Sequence, residues 1–234
     1  MPVARELPVS LEDFRPTFLG DLVGQSTAVK ILQDLAEAGR KGRIVPTNIL
    51  MHGPPGVGKT TAARAFAREV LGPEWEYSFH ELKASEDRSL EFVRNRVIPL
   101  SERPPSRRAP FRIIFFDEAD RLSIEAQDAL RPALEGVNRS TVFVLACNEL
   151  ERVPPAIQSR CTVLAFSSLS TDEVRRVVTE AAVRRSLVIP DGRVDEIVRQ
   201  ARGIPREAVK LLILEQRKDG SWLPTESSDR FPSE

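Results

Sequence analysis

Five short apolar runs punctuate the chain, at Asn48 to His52, Tyr77 to Leu82, Arg112 to Asp117, Thr141 to Cys147 and Thr162 to Phe166. Their apolar residues run nearly without interruption, the pattern of strands buried on both faces. Helical spacing fills the gaps, at Thr61 to Val70, Ser89 to Leu100 and Ile124 to Gly136, the last with apolar positions at Ile124, Ala126, Ala129, Leu130, Ala133 and Leu134. This alternation predicts an α/β fold, a parallel five-stranded sheet flanked by helices. Glu102 to Pro110, with three prolines among three arginines, reads as an exposed loop.

Beyond Phe166 only helical patterns follow. Ser170-Thr171-Asp172-Glu173 has the form of a capping box opening a helix to about Ser186, with Val174, Val177, Val178 and Val183 as its buried stripe. A second helix is expected from Arg193 to Arg202. A third should start at Pro205, a favoured first helical residue, and run to about Gln216. The expected domains are therefore 1–166, an α/β nucleotide-binding domain, and 167–216, a small all-helical one. Residues 217–234, rich in charge, Ser and Pro, read as an irregular tail.

The nucleotide expectation comes from the loop after the first run. Gly53-Pro54-Pro55-Gly56-Val57-Gly58-Lys59-Thr60-Thr61 is a complete P-loop between a predicted strand and a predicted helix. Its glycines let backbone N–H groups crowd around phosphate oxygens, Lys59 neutralises the terminal phosphates, and the Thr60 hydroxyl suits Mg2+. The following helix points its N-terminus at the same anion. A nucleoside triphosphate with Mg2+ is the expected ligand, which the family resemblance below narrows to ATP.

Composition narrows the partners. Lys plus Arg and Asp plus Glu balance at 34 each, so no global positive field announces nucleic acid. Cys147 and Cys161, the two cysteines, lie in or beside apolar runs and read as buried free thiols of a reducing compartment; their number excludes a zinc module. No apolar run approaches the roughly 18 residues of a membrane span, and Met1 to Ser10 lacks a signal-peptide core, so a cytoplasmic or nucleoid-associated protein is expected.

Two further strand ends carry chemistry. Ile113 to Phe116 deliver Asp117 and Glu118 from a dry sheet to its carboxyl edge, where Asp117 can hold the metal shell and Glu118 can polarise an attacking water. Asn148, after the fourth run, is either a neutral holder of water or phosphate, or an ordinary turn residue. Arg160 follows a helix-sized segment and precedes the fifth run, where a surface ion pair is the plain alternative.

Taken in order, GPPGVGKTT, IIFFDEAD (Ile113 to Asp120), AQDALRPALE (Ala126 to Glu135), ACNE (Ala146 to Glu149), IQSRC (Ile157 to Cys161) and GIPREAV (Gly203 to Val209) resemble the AAA+ clamp-loader ATPases, in particular the small subunits of replication factor C. Phe14-Arg15-Pro16 and Leu22-Val23-Gly24-Gln25 add to the resemblance, which spans about Leu11 to Gln216. It implies an AAA+ fold with a helical lid. Arg160 would be an arginine finger acting on a neighbouring subunit's ATP, Asn148 a first sensor and Arg206 a second. Phe14, Arg15, Val23 and Gly24 would line the adenine pocket. The implied partners are other AAA+ subunits, a sliding clamp and primer-template DNA.

Between Ser85 and Arg112 seven arginines face four acids, so Arg88, Arg94 and Arg96, with Arg131 on the next helix, are candidate phosphate contacts. Gln127 shares a helix face with Arg131 and could link DNA contact to Glu118. Three departures from the family pattern stand out. Phe14 replaces a tyrosine, Pro132 occupies a usually basic position, and the sequence stops soon after the lid, where family members carry a helical collar. Assembly through such a collar is not expected for this chain. Another DNA-linked AAA+ motor and a nucleotide-gated scaffold with negligible turnover are the competing readings.

Overall fold

The computed structural model describes residues 10–41, 47–105, 109–135, 140–185, 187 and 189–219. Two compact units divide the chain, residues 16–167 and residues 1–15 together with 168–234.

The first unit is built on five parallel strands, β1 (Asn48–His52), β2 (Phe79–Lys83), β3 (Arg112–Asp117), β4 (Thr141–Cys147) and β5 (Cys161–Ala165), in the order β2-β3-β4-β1-β5. β1 lies between β4 and β5, with Leu50 opposite Leu145 on one side and Val163 on the other. Seven α-helical segments surround the sheet: α1 (Ser26–Arg40), α2 (Lys59–Leu71), α3 (Trp75–Ser78), α4 (Leu90–Phe92), α5 (Ile98–Glu102), α6 (Ile124–Glu135) and α7 (Pro155–Gln158). Strand residues Ile49, Leu50, Met51 and Ile113 to Phe116 are closed off from solvent on both faces, as their unbroken apolar runs require. Aromatic packing ties the layers together. Phe79 stacks on Phe115 at 6.0 Å, and Phe92 meets Phe116 edge-on at 6.4 Å. Truncating a side chain such as Phe116 to alanine would cost about 3–5 kcal/mol.

Local chemistry moves several boundaries. The second strand starts at Phe79 rather than Tyr77. Gly72 and Pro73 open a 3-10 turn that leads into α3, where the Arg68 guanidinium sits 4.3 Å over the Trp75 ring and Tyr77 points to solvent. The helix expected from Ser89 to Leu100 is interrupted by a π turn, Val93–Val97, between α4 and α5. That wide turn precedes Pro99, whose ring would otherwise crowd the Asn95 carbonyl. The fifth strand lies one residue earlier than expected, and Gly136 at the end of the predicted third helix is outside the described residues.

The second unit contains α8 (Thr171–Arg184), α9 (Asp191–Ala201) and α10 (Pro205–Asp219). The capping box forms: the Ser170 hydroxyl accepts from Glu173 N and the Glu173 carboxylate accepts from Ser170 N at 2.8 Å. Val174 and Val178 are buried, but Val183 is 63% exposed, its place on the inner face taken by Ala181 and Ala182. A stripe drifting by 100° per residue brings position 182, not 183, back over 174 and 178. Gly203 (φ 82°) is required between α9 and α10, because a Cβ there would sit 2.8 Å from the Leu169 carbonyl oxygen. The final helix runs through Asp219, three residues beyond the expected end, on the helix-favouring Glu-Gln-Arg-Lys run at 215–218. The irregular segment therefore does not begin at Arg217, and residues 220–234 lie outside those described.

The 3-10 turn Leu11–Phe14 packs on α10. Phe14 is buried beneath the Arg185 guanidinium, 5.4 Å from its ring, and Arg185 also pairs with Asp13 at 2.7 Å. The division falls after Ser167, one residue past the expected break. No helix among the described residues is long and apolar enough to cross a membrane.

Candidate nucleotide site

Three parallel strands bring their carboxyl ends together and place the chemistry there. The loop from Gly53 leaves β1 and enters α2 at Lys59. Gly53 (φ 141°) leaves no room for a side chain, since a Cβ would lie 1.9 Å from the Phe166 carbonyl oxygen. Gly56 (φ 83°) and Gly58 (φ 111°) also adopt left-handed backbone. Such a turn aims successive N–H groups into one concavity, a cradle for anions.

Lys59 is 7% exposed, and its ammonium donates to Gly53 O at 2.6 Å, Pro54 O at 2.9 Å and Asn148 Oδ1 at 3.0 Å. A buried cation needs such acceptors, and they also aim it along the loop mouth. The Thr60 hydroxyl donates to Asp117 Oδ2 at 2.9 Å. Asp117 arrives from β3 and Asn148 from just beyond β4, so residues far apart in sequence meet across one sheet edge. A hydroxyl and a carboxylate in contact, next to a backbone anion cradle, fit an octahedral Mg2+ that shares its shell with phosphate and water.

Glu118 adopts left-handed backbone (φ 57°), unusual for a side chain of its size. This reversal ends β3 and turns the chain into the 3-10 segment Ala119–Arg121. Glu118 Oε2 is buried, lies 3.3 Å from Arg121 Nε, and has no hydrogen-bond partner in acceptable geometry. A carboxylate oxygen so placed is available to a water. Cys147, at the end of β4, has its thiol pushed up to about 12 by burial first and by the Asp120 charge second. It is no nucleophile at neutral pH.

A family model described as the ATPase family associated with various cellular activities (AAA) matches residues 49–169, more than half of the chain. The chain belongs to the AAA family. Among curated proteins, replication factor C small subunits are similar. That of Methanococcus maripaludis (strain C7) is 36% identical over 86% of this chain and 62% of its own length. Those of Methanoregula boonei and Methanosarcina mazei are each 37% identical over 86% of this chain, and over 61% and 59% of their own lengths. The AAA chain thus spans about three-fifths of the length of these relatives. Among solved structures, the Thermotoga maritima RuvB Holliday junction branch migration motor matches 91% of this chain and 70% of its own with a TM-score of 0.75 at 23% identity, a likeness of fold.

Within this AAA chain, Arg160 lies away from the P-loop. It immediately precedes β5, and its carbonyl accepts from Asn48 Nδ2 (3.4 Å) at the start of β1, whereas the P-loop follows the end of β1. Five residues of strand separate the two edges, about 15 Å at a strand's rise. The Arg160 guanidinium donates to Ala156 O at 2.6 Å and pairs with the Glu135 carboxylate, leaving its side chain about a third exposed.

Val23 and Gly24 are half-buried in the sheet unit. Phe14 and Arg15 belong to the helical unit, where Arg15 pairs with Glu12 at 2.8 Å. Arg206, second residue of α10, is exposed.

Of the candidate DNA contacts, Arg88, Arg94, Arg96 and Arg131 are exposed. Arg96 extends over Phe92 at 6.0 Å, and Arg131 lies 3.5 Å from Asp128. Arg112, counted in the same positive cluster, is instead 7% exposed. It donates to Leu100 O (2.5 Å), Arg103 O (2.8 Å), Pro104 O (2.9 Å) and His80 Nε2 (3.1 Å), so most of its donors are committed to anchoring the loop. Arg107 and Arg108 lie outside the described residues. Gln127 does not reach Glu118. It is buried, and its Nε2 donates to Leu122 O at 3.0 Å and Arg152 O at 3.3 Å.

Two positioning residues escaped the sequence reading. The Gln25 amide pairs with both backbone groups of Ser167, at 2.6 and 3.1 Å, and lies 3.5 Å from Val57 O of the P-loop. Asn48 accepts from Phe143 N (3.0 Å) and donates to Leu134 O (2.9 Å), locking the start of β1. A polar residue opening an apolar strand was the visible signal for Asn48; for Gln25 there was none beyond its motif.

Proposed function

We propose that this chain is the ATP-hydrolysing part of a clamp-loader-like assembly of the cytoplasm, a Mg2+-dependent ATPase that acts with neighbouring AAA+ subunits on a sliding clamp and primer-template DNA. The observation that carries the reading is the division of catalytic groups between opposite edges of one sheet. Lys59, Thr60, Asp117, Glu118 and Asn148 gather at the carboxyl edge, and Arg160 stands on the surface about 15 Å away. That separation supports a role for Arg160 at another subunit's P-loop rather than its own.

The mechanism follows from these residues. The backbone of Gly53, Pro54, Pro55, Gly56, Val57 and Gly58, with Thr61 in the first turn of α2, receives the phosphates, and Lys59 neutralises the terminal pair. Thr60 and Asp117 would hold Mg2+, which when bound offsets charge on the phosphate oxygens. Glu118 polarises the attacking water and Asn148 orients it without adding negative charge. Arg160 of an adjacent subunit stabilises the transition-state charge. Val23 and Gly24 line the adenine pocket. Arg88, Arg94, Arg96 and Arg131 contact DNA phosphates without reading bases.

Two measurements test this reading. ATPase activity should rise more than linearly with protein concentration, and an immobilised clamp should retain the chain only with ATP or a slowly hydrolysed analogue. Strict proportionality at every concentration, together with no nucleotide-dependent capture, refutes it.

A further inference from the structure

Asp120 closes the run that contains Asp117 and Glu118, yet none of the roles above uses it. It is 8% exposed, and burying a carboxylate is costly unless something specific compensates. Its Oδ2 accepts from two consecutive backbone amides, Asn148 N and Glu149 N, each at 3.2 Å. Its Oδ1 is buried with no hydrogen-bond partner. One oxygen is thus committed to the backbone that carries Asn148.

The rest of the residue is committed to Glu118. Asp120 sits in the 3-10 segment Ala119–Arg121, which Glu118 opens with its left-handed backbone and fastens through the bond from Arg121 N to Glu118 O at 2.8 Å. Asn148 in turn accepts from the Lys59 ammonium at 3.0 Å. A rigid path therefore runs from the Glu118 turn, through the Asp120 carboxylate and the 148–149 amides, to the Asn148 side chain and Lys59. Strands β3 and β4 pair from Arg112 opposite Thr141 to Phe116 opposite Leu145, so the ladder alone does not hold the segments beyond. Charge-assisted bonds from a carboxylate to backbone N–H groups are stronger and shorter-ranged in tolerance than neutral ones, which suits this task.

Resting on the ATPase reading above, we infer that Asp120 is a positioning residue for hydrolysis, fixing the Asn148 side chain relative to Glu118 and Lys59 by clamping the backbone on which Asn148 stands. A displacement of about 1 Å at such a group costs up to about 10²-fold in rate, with little effect on a ground state bound mainly by loop backbone. The burial of Cys147 beside this carboxylate is consistent with a dry clamp, its thiol pushed up in part by the Asp120 charge.

The test compares Asp120→Ala, Asp120→Asn, Asn148→Ala and the Asp120→Ala/Asn148→Ala double variant in the full chain, with kcat, fluorescent-ATP affinity and thermal melting measured for each. Asp120→Ala should lower kcat about tenfold or more while nucleotide affinity changes less than about threefold. Asp120→Asn, which keeps a carbonyl acceptor, should recover most of that loss. Adding Asp120→Ala to Asn148→Ala should cost much less than adding it to the wild type, because the clamped side chain is already gone. Multiplicative single effects, unchanged kcat, or a loss confined to affinity or melting temperature each overturn the inference. Wild-type protein that turns over no ATP at any concentration overturns the ATPase reading as well, which separates the two failures.

Discussion

The two edges of the sheet are built to different standards. At the carboxyl edge Lys59 is tied to Asn148 at 3.0 Å and Thr60 to Asp117 at 2.9 Å, with Lys59 buried and the other three half-buried. At the amino edge Arg160 is held by Glu135, the Ala156 carbonyl and, at 3.4 Å, the Ser159 hydroxyl, on a side chain still partly in solvent. Pre-organised groups lower a barrier because they need not reorganise during reaction, whereas a surface ion pair, worth at most about 1 kcal/mol, is easily exchanged for a better partner. One edge is tied through a buried ammonium, the other through an ion pair partly open to solvent.

The same amino edge also carries a contrasting arginine. Arg112 opens β3 as Arg160 precedes β5, yet its guanidinium is buried and engaged by three carbonyls and a histidine. Identical chemistry thus serves as an anchor in one place and as a reachable charge in the other. Burial decides which.

The largest effect should come from the exposed edge. Arg160→Ala should reduce turnover of the assembled protein about 10³-fold while leaving the nucleotide affinity of dilute protein unchanged. Single-turnover assays with equilibrium binding of a fluorescent ATP would separate these, and an affinity loss equal to the rate loss would move Arg160 to its own site. Lys59→Ala should lower both affinity and turnover by about 10²-fold at any protein concentration, since its ammonium belongs to the closed edge. A Lys59→Ala defect rescued by raising protein concentration would erase the distinction between edges.

Arg112→Ala should destabilise by about 2–3 kcal/mol, because it removes four hydrogen bonds made by a buried guanidinium, without altering nucleotide affinity. Urea titration reads this directly. His80 adds a pH signature. Burial first, and the Arg112 charge second, hold its imidazole below the ordinary value of about 6.5, so it is neutral when it accepts from Arg112. The contribution is present above about pH 6.5 and lost as pH falls through the lower folded value, and Arg112→Ala should flatten that acid limb.

The smallest effect concerns the thiols. Burial raises Cys147 from an ordinary value near 9 to about 12, and Cys161 to about 12 by the same cause. The folded state then holds these protons more tightly than the unfolded one. Their contribution is full below about pH 9 and lost as pH climbs from 9 towards 12, so melting temperature should decline over that window. Cys147 should react with thiol reagents at pH 8 only after unfolding.

Much of this was legible in the chain because local rules produce it. Uninterrupted apolar runs matched doubly covered strands at β1, β3 and β4, while the edge strands β2 and β5 stay partly open on the rim of the sheet; the Ser170 and Glu173 pair dictated a helix start; a Gly-rich loop between strand and helix dictated an anion cradle. Periodicity was less sure at its margins. Tyr77 and Ser78 looked like the start of a strand, but the Gly72-Pro73 turn led into a helix that includes them, and Val183 fitted a valine list better than it fitted the face of its helix. Propensity cannot weigh a neighbour's side chain that it does not see.

By itself the sequence determined which residues could do chemistry at strand ends, because residue type and spacing set backbone conformation within a few positions. Only the tertiary structure decided which of them work together. It separated Arg112 from the exposed arginines by burying it among carbonyls, turned Gln127 away from Glu118 towards two backbone oxygens, and brought Asp120 to the amides beside Asn148. These are contacts between segments remote in the chain, and their energies depend on burial and geometry that exist only once the sheet has assembled.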